Sequence, residues 1–338
     1  MIIVFKCNNG IVTDKYIEII SEAIREIRNE EIKYVKSFKE LNRVDKDTIF
    51  IVARILDAFR LIVLGYKHII MWCQGIEPEE SYMIHNSKLR FLILSKMEKI
   101  ILKHSEFVFF VSNTMLEHYK LKYKINFKDN YYCMPCMNTK IHEDVFFTED
   151  KYTNNKFVYV GSMAVWQNFE NIVKCYKSIE EINMKNTQFY VFTSEKDIAK
   201  DLLEKYNVKN YFIEYVNNDL LPNALSDKKY GFILREDNLV NNVSTPTKIS
   251  TYLSCGLIPI YSSSLKDFDI ISKEMKYVIK NDKDLLYKIR EFDDNINVSE
   301  ILNEYKNIFD TYYCIETHKK NIVNKINKIY REEIWWRK

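Results

Sequence analysis

Apolar and polar positions fall into two series, each alternating short apolar runs with amphipathic stretches. The first run, "IIVFKC" (2–7), fits a strand. The segment "TDKYIEIISEAIREIRNE" then places Ile17, Ile20, Ile24 and Ile27 at three- and four-residue spacing, one apolar stripe of a helix. "IKYV", "TIFIVA" and "HIIMWCQG" read as further strands, and "FRLIVLG" (59–65) fits strand or helix. A long helical pattern covers 81–104, and "FVFFVS" (107–112) is a strand. Ser112 or Asn113 can cap a short helix through Tyr119, and "NYYCMPCMN" closes this half.

The polar stretch "TEDKYTNNK" (148–156) has no apolar period and marks a domain boundary. Beyond it "FVYVGS", "QFYVFTS", "NYFIEYV", "YGFILRE" and "LIPIYSS" read as strands with helical segments between them, and the end from about Ser299 is mostly helical. The expected domains are 1–148, 149–315 and a C-terminal helix, 316–338, packing on the first domain. Strands alternating with helices predict an α/β fold with two parallel, doubly wound sheets. Two such sheets predict a cleft between domains. In open sheets of this kind ligands bind outside the carboxyl ends of the strands.

Composition narrows the function. The 338 residues are 47% hydrophobic and 29% charged, as in a soluble globular protein. A net charge of +3 is too mild to argue for nucleic acid. No apolar run nears the ~20 residues that span a bilayer, and the N-terminus lacks the pattern of a secretory signal. Seven scattered cysteines, an odd number, point to a reducing cytoplasm.

Candidate chemistry concentrates in "VSTPTKISTYLSCGLIPIYSS" (243–263). Proline suits a first helical turn, so Pro246 predicts a helix over 246–254 with Ser244 or Thr245 as N-cap. Gly256 is its stop, and a strand follows over 257–262. The free N–H groups of such a helix, with Lys248 in the first turn, form an anion site at the sheet's carboxyl edge. An ordinary capped helix with an exposed lysine accounts for the residues equally well.

Pro246, Lys248, Tyr252, Leu253, Cys255 and Gly256, followed by an apolar strand, resemble the donor-site signature of GT-B glycosyltransferases of the family 4 type. "FVYVGSMAVWQNFENIV", "KHSEFVFFVSNTMLEHY" and "MPCMN" are similar to other parts of that fold, and "GFILREDNLVNNVSTPTK" to bacterial capsule and surface polysaccharide transferases. The resemblance implies two Rossmann-like domains facing a central cleft, with C-terminal helices crossing back. It implies transfer from a nucleoside-diphosphate sugar to a glycan or lipid-linked oligosaccharide in surface polysaccharide synthesis. Retention, no metal and no cofactor are implied too, in the cytoplasm or at the inner face of the membrane.

Carried over by position, the donor diphosphate and sugar would meet Gly161, Ser162, Gln167, Arg235, Glu236, Asn241, Asn242, Ser244, Thr245 and Lys248. Ribose and base would meet Thr251 and Val216, and Asn9 and Gly10 would form an N-domain glycine loop. Gln74, Glu79 and Glu80 are the candidate catalytic groups on the acceptor side. There are departures. The family's arginine and lysine after the first C-domain strand are Ser162 and Gln167 here, and its paired glutamates are Val243 and Thr251. Phosphate charge would then rest on Lys248 and Arg235. An inactive GT-B nucleotide- or glycan-binding protein and a sugar-nucleotide epimerase are the alternatives. No G-x-G-x-x-G follows either first strand, which disfavours a dinucleotide oxidoreductase.

Other motifs carry less. "CMPC" (133–136) lacks a second ligand pair, and the six histidines show no metal-binding spacing. The Asp45–Asp47 and Asp282–Asp284 pairs sit in charged, surface-like stretches, and Asp267–Asp269 follows a serine-rich turn; all three read as surface pairs. Trp335, Trp336, Arg337 and Lys338 suit either a packed terminal helix or a membrane interface.

Overall fold

A computed structural model describes residues 1–6, 11–41, 44–137, 139–182 and 186–332. Asn9, Gly10, Trp335, Trp336, Arg337 and Lys338 lie outside the described residues. The chain divides into two compact units, Met1–Cys136 with Cys314–Lys338, and Met137–Tyr313. The first division falls ahead of the polar 148–156 stretch. There the His142 N–H donates to Ser254 O at 2.9 Å, and the Phe146 and Tyr305 rings meet at 6.1 Å, tying this segment to the second unit.

The first unit runs β1 (Ile2–Phe5), α1 (Ile11–Arg28), β2 (Ile32–Val35), β3 (Ile49–Val52), α2 (Ile55–Val63) and β4 (Ile69–Cys73). It continues with α3 (Glu77–His85), α4 (Lys88–His104), β5 (Phe107–Phe110), α5 (Asn113–Tyr123) and β6 (Tyr131–Cys133). Its strands form a parallel sheet in the order β2-β1-β3-β4-β5-β6. β1, β3, β4 and β5 are buried throughout, which accounts for their unbroken apolar runs.

Two helical readings change. "FRLIVLG" belongs to α2, whose Ile55, Ala58 and Leu61 are buried at three-residue spacing. The 81–104 pattern is two helices, beginning at Glu77 and interrupted where Asn86 turns left-handed (φ 48°). Ser87 then caps α4. Ser112 caps α5 through the Met115 N–H at 2.9 Å, and that helix runs to Tyr123.

The second unit runs β7 (Lys156–Val160), α6 (Phe169–Glu181), β8 (Gln188–Phe192), α7 (Lys196–Lys205), β9 (Tyr211–Glu214), α8 (Leu221–Leu225) and β10 (Tyr230–Ile233). Then come α9 (Leu239–Asn242), α10 (Thr247–Ser254), β11 (Ile258–Tyr261), α11 (Lys266–Ile271), β12 (Ile279–Lys280), α12 (Leu285–Asp294) and α13 (Val298–Thr311). The parallel order is β12-β11-β10-β7-β8-β9. The chain returns to the first unit as α14 (Ile315–Glu332), which packs along α1, and His318 Nδ1 meets the Tyr132 hydroxyl at 2.8 Å.

The expected cap of α10 also shifts. Pro246 is itself the N-cap residue (φ −63°, ψ 129°), and the helix starts at Thr247 with no side-chain cap. Ser244 instead donates to Asn241 O at 2.8 Å, closing α9. Gly256 ends α10 as expected, at φ 71°.

Candidate functional site

In the second unit the strand order reverses between β7 and β10, the switch point of a doubly wound sheet. These two strands pair only at Phe157–Tyr230 and Val158–Gly231, then part. Tyr252 of α10 fills the gap. Its hydroxyl accepts from the Val160 N–H (3.1 Å) and donates to Phe232 O (3.4 Å), satisfying both backbone groups that the parting strands leave. Gly231 makes room, since a Cβ there would lie 2.4 Å from the Tyr252 ring. One tyrosine thus ties α10 to the ends of both strands.

Lys248, in the first turn of α10, lies across the glycine turn that follows β7. A Cβ on Gly161 (φ 144°) would stand 2.6 Å from its Nζ. The ammonium donates to Gln167 Oε1 and to the Tyr159 hydroxyl (3.3 Å), and sits 4.3 Å above the Tyr159 ring. Arg235, just past β10, is buried and donates to Trp166 O, while its own N–H donates to Ser262 Oγ (2.8 Å).

Burial lowers the Arg235 guanidinium to about 10. Burial first, and the like charge of Arg235 second, hold Lys248 well below the ordinary lysine value. Lys248 as a residue is half-buried, with its ammonium hemmed in by Gly161, Gln167 and Tyr159. Among the described residues, the charged group acting on Lys248 is Arg235, of the same sign. Two basic side chains thus meet at the start of α10, where a helix's first N–H groups lack intrahelical partners.

The other expected donor residues divide. Gln167 is at the site and holds Lys248, and exposed Ser162 lends its carbonyl to the Tyr159 hydroxyl at 2.5 Å. Glu236 is exposed, and its carbonyl accepts from Asn241 Nδ2 (3.1 Å), so buried Asn241 braces its own loop. Asn242 Oδ1 is buried without a hydrogen-bond partner among the described residues, a group still to be satisfied. Thr245 is half-buried. The Thr251 hydroxyl donates to Thr247 O at 3.0 Å, within its own helix. Val216 lies past the edge strand β9, two strands from β7.

Sequence reasoning missed Tyr159 and Glu195. The phenol of Tyr159 is pushed up by burial and supports the Lys248 ammonium. Glu195 accepts the Met163 N–H at 2.7 Å and closes the glycine turn from the β8 side.

A second site lies in the first unit, where a cavity of about 240 Å³ opens at the carboxyl ends of β3 and β4. Arg54, Gln74, Glu77, Glu80, Glu98 and Tyr119 are among its lining residues. Glu80 folds beneath Gly75 and accepts the Ile76 N–H (3.2 Å), a bracing role; a Cβ on Gly75 would strike its carboxylate. Glu79 is turned elsewhere, paired with Lys122 at 2.7 Å. Burial pushes its carboxyl up, but His118 and Lys122 outweigh that and hold it low. Lys122 also reaches Glu98 (3.1 Å), which accepts from Tyr119 (2.9 Å) and Tyr123 (2.5 Å), locking α3, α4 and α5 together. Glu77 lines the cavity beside Arg54 and Gln74. It accepts the Ile55 N–H at 3.0 Å, and burial raises it to about 7, the range of a group that trades protons near neutrality.

The remaining motifs are structural. Asp45 and Asp282 each accept the N–H two residues on, at 3.2 and 2.9 Å, making exposed turns, and Asp269 pairs with Lys280 at 2.9 Å. Cys133 and Cys136 are half-buried, and the Cys133 thiol donates to Ser112 O at 3.6 Å.

These two doubly wound units define the GT-B fold of glycosyltransferases. No family model and no curated protein matches the sequence. Among solved structures the chain is similar to WaaG, a glycosyltransferase involved in lipopolysaccharide biosynthesis. The TM-score is 0.61 at 12% identity, over 95% of this chain and 99% of that one. It is similar to an E. coli structure described as trehalose-6-phosphate bound with UDP-2-fluoro glucose (TM-score 0.59, 10% identity, 92% and 77% covered). A third is sucrose-phosphate synthase (tll1590) from Thermosynechococcus elongatus (TM-score 0.57, 14% identity, 97% and 80% covered). At such identities the likeness is one of fold.

Proposed function

We propose that this protein is a glycosyltransferase that moves a sugar from a nucleoside diphosphate to a glycan or lipid-linked glycan acceptor. The observation that carries the reading is the meeting of Lys248 and Arg235 at the switch point, where the Lys248 side chain lies across the Gly161 turn and buried Arg235 donates to Trp166 O. As the bond to the sugar breaks, negative charge grows on the leaving diphosphate. Fixed cations and the first N–H groups of α10 stabilise that charge without having to reorganise. This is the work a metal would otherwise do, so the reaction is read as metal-independent.

Gln167 and Tyr159 hold the ammonium in place before the donor arrives. The orphaned Asn242 carbonyl is available to a sugar hydroxyl. On the acceptor side Glu77, with Gln74 nearby, is the group suited to take the proton from an acceptor hydroxyl. Retention at the anomeric carbon, a role in surface polysaccharide synthesis and a place at the cytoplasmic face of the membrane belong to the same reading, supported by the motif resemblance and the likeness to WaaG.

A thermal-shift screen against nucleoside-diphosphate sugars identifies the donor, since a ligand of the native state raises apparent stability. Release of nucleoside diphosphate with glycosylation of the acceptor, surviving chelation, is the expected result. Strict dependence on magnesium or manganese would remove the metal-free mechanism. Interconversion of the donor sugar without transfer would make the protein an epimerase.

A further inference from the structure

α4 is aliphatic on both sides. Ile101 and Leu102 are buried against the unit, whereas Leu89, Leu92, Ile93 and Ile100 are 70, 55, 51 and 37% exposed. Successive residues advance about 100° around a helix, which gathers the exposed side chains on one broad outward arc. Lys88, Lys96, Lys99 and Lys103 share that arc, all exposed. The lysines occupy one half and the aliphatics the other, with Leu92 set among the lysines. The one acid of α4, Glu98, is buried against Lys122 at 3.1 Å and does not neutralise them.

The neighbourhood extends the pattern. α2 packs on α4 and exposes Leu56, Val63 and Leu64, and past the C-terminus of α4 a groove of about 380 Å³ is lined partly by Lys103, Lys124 and Lys128. Single exposed leucines need no explanation. Four on one helical face, flanked along one side by lysines and free of exposed acids on α4, match an interfacial helix, with aliphatics immersed and lysine stems snorkelling to anionic headgroups. A second copy of the chain would set lysines against lysines, so like charge disfavours that occupant.

We propose that the outward face of α4 lies in the plane of an anionic membrane surface and seats the first unit there. The inference deepens the reading of a lipid-linked acceptor, but depends only on this surface. The test is co-sedimentation of the full chain with phosphatidylcholine vesicles, with and without phosphatidylglycerol. Binding is expected only with phosphatidylglycerol and should weaken as salt rises.

The reversal Lys96→Glu/Lys99→Glu/Lys103→Glu should weaken binding at least about tenfold. Leu89→Ser/Leu92→Ser/Ile93→Ser should weaken it comparably, with thermal stability unchanged in both. Equal binding to neutral vesicles, or binding unmoved by either variant, overturns the proposal. So does binding lost only on removing residues 333–338, or a wild-type dimer that the serine variant dissolves. Nucleoside-diphosphate affinity should be the same in wild type and both variants. Its absence from all of them would sink the transferase reading alone and leave the vesicle result to be judged by itself.

Discussion

Gly161→Ala separates the fold from the site at one residue. At φ 144° an alanine is strained whatever space surrounds it, and a conformation of that kind costs on the order of 1–3 kcal/mol of stability. The new methyl would also stand 2.6 Å from Lys248 Nζ and 2.7 Å from Cε. The lysine end is flexible and gives way, abandoning Gln167, Tyr159 and the place beside Arg235. If the ammonium holds the donor diphosphate, the variant loses a charge-assisted hydrogen bond of about 1.5–3 kcal/mol. At about 1.4 kcal/mol per tenfold, affinity falls roughly 10- to 150-fold. Calorimetric titration with the nucleoside diphosphate measures the affinity, and urea denaturation the stability. Lower stability with unchanged affinity would refute the placement of Lys248 at the anion.

Gly231→Ala should cost about 1–3 kcal/mol or more, since its methyl meets the confined Tyr252 ring at 2.4 Å; wild-type stability in denaturant would disprove that anchoring. Donor binding should take up protons, because a bound dianion raises the depressed Lys248 ammonium back toward its ordinary value. Affinity is therefore lost as pH rises through the free protein's lysine pKa, and a pH-independent affinity in wild type contradicts this. Glu77 is raised to about 7 in the folded protein, so its contribution to stability is complete below the unfolded value of about 4.5 and lost as pH climbs through about 7. Glu77→Gln should gain in melting temperature relative to wild type across that window and level off above it; a flat difference removes the carboxyl from this role.

The alternation of strands and helices was legible because the inner strands of both sheets are buried apolar runs between polar segments. The open reading at 59–65 and the single helix read over 81–104 both came from windows cut in the wrong place. "FRLIVLG" looks ambiguous alone, but the buried spacing of α2 begins earlier, at Ile55. The break at Asn86 is a single left-handed residue, which leaves the apolar pattern almost continuous. Starting the helix at Glu77 also decides which acid faces the cavity, a matter of rotation that spacing alone does not settle. Lys248 and Gly161 were legible as motif residues, whereas Tyr159 under the ammonium and Glu195 on the Met163 N–H depend on contacts between segments far apart in sequence. Gln167 shows the limit of reasoning by position, since a neutral side chain in a basic residue's place has become the acceptor that holds Lys248.

Lys248 as a ligand of the donor diphosphate is tested directly by calorimetric titration of wild type and Lys248→Ala with the matching nucleoside diphosphate. The expected result is binding weakened roughly 10- to 150-fold, with urea denaturation showing the variant folded. Equal affinity in the two proteins would contradict it.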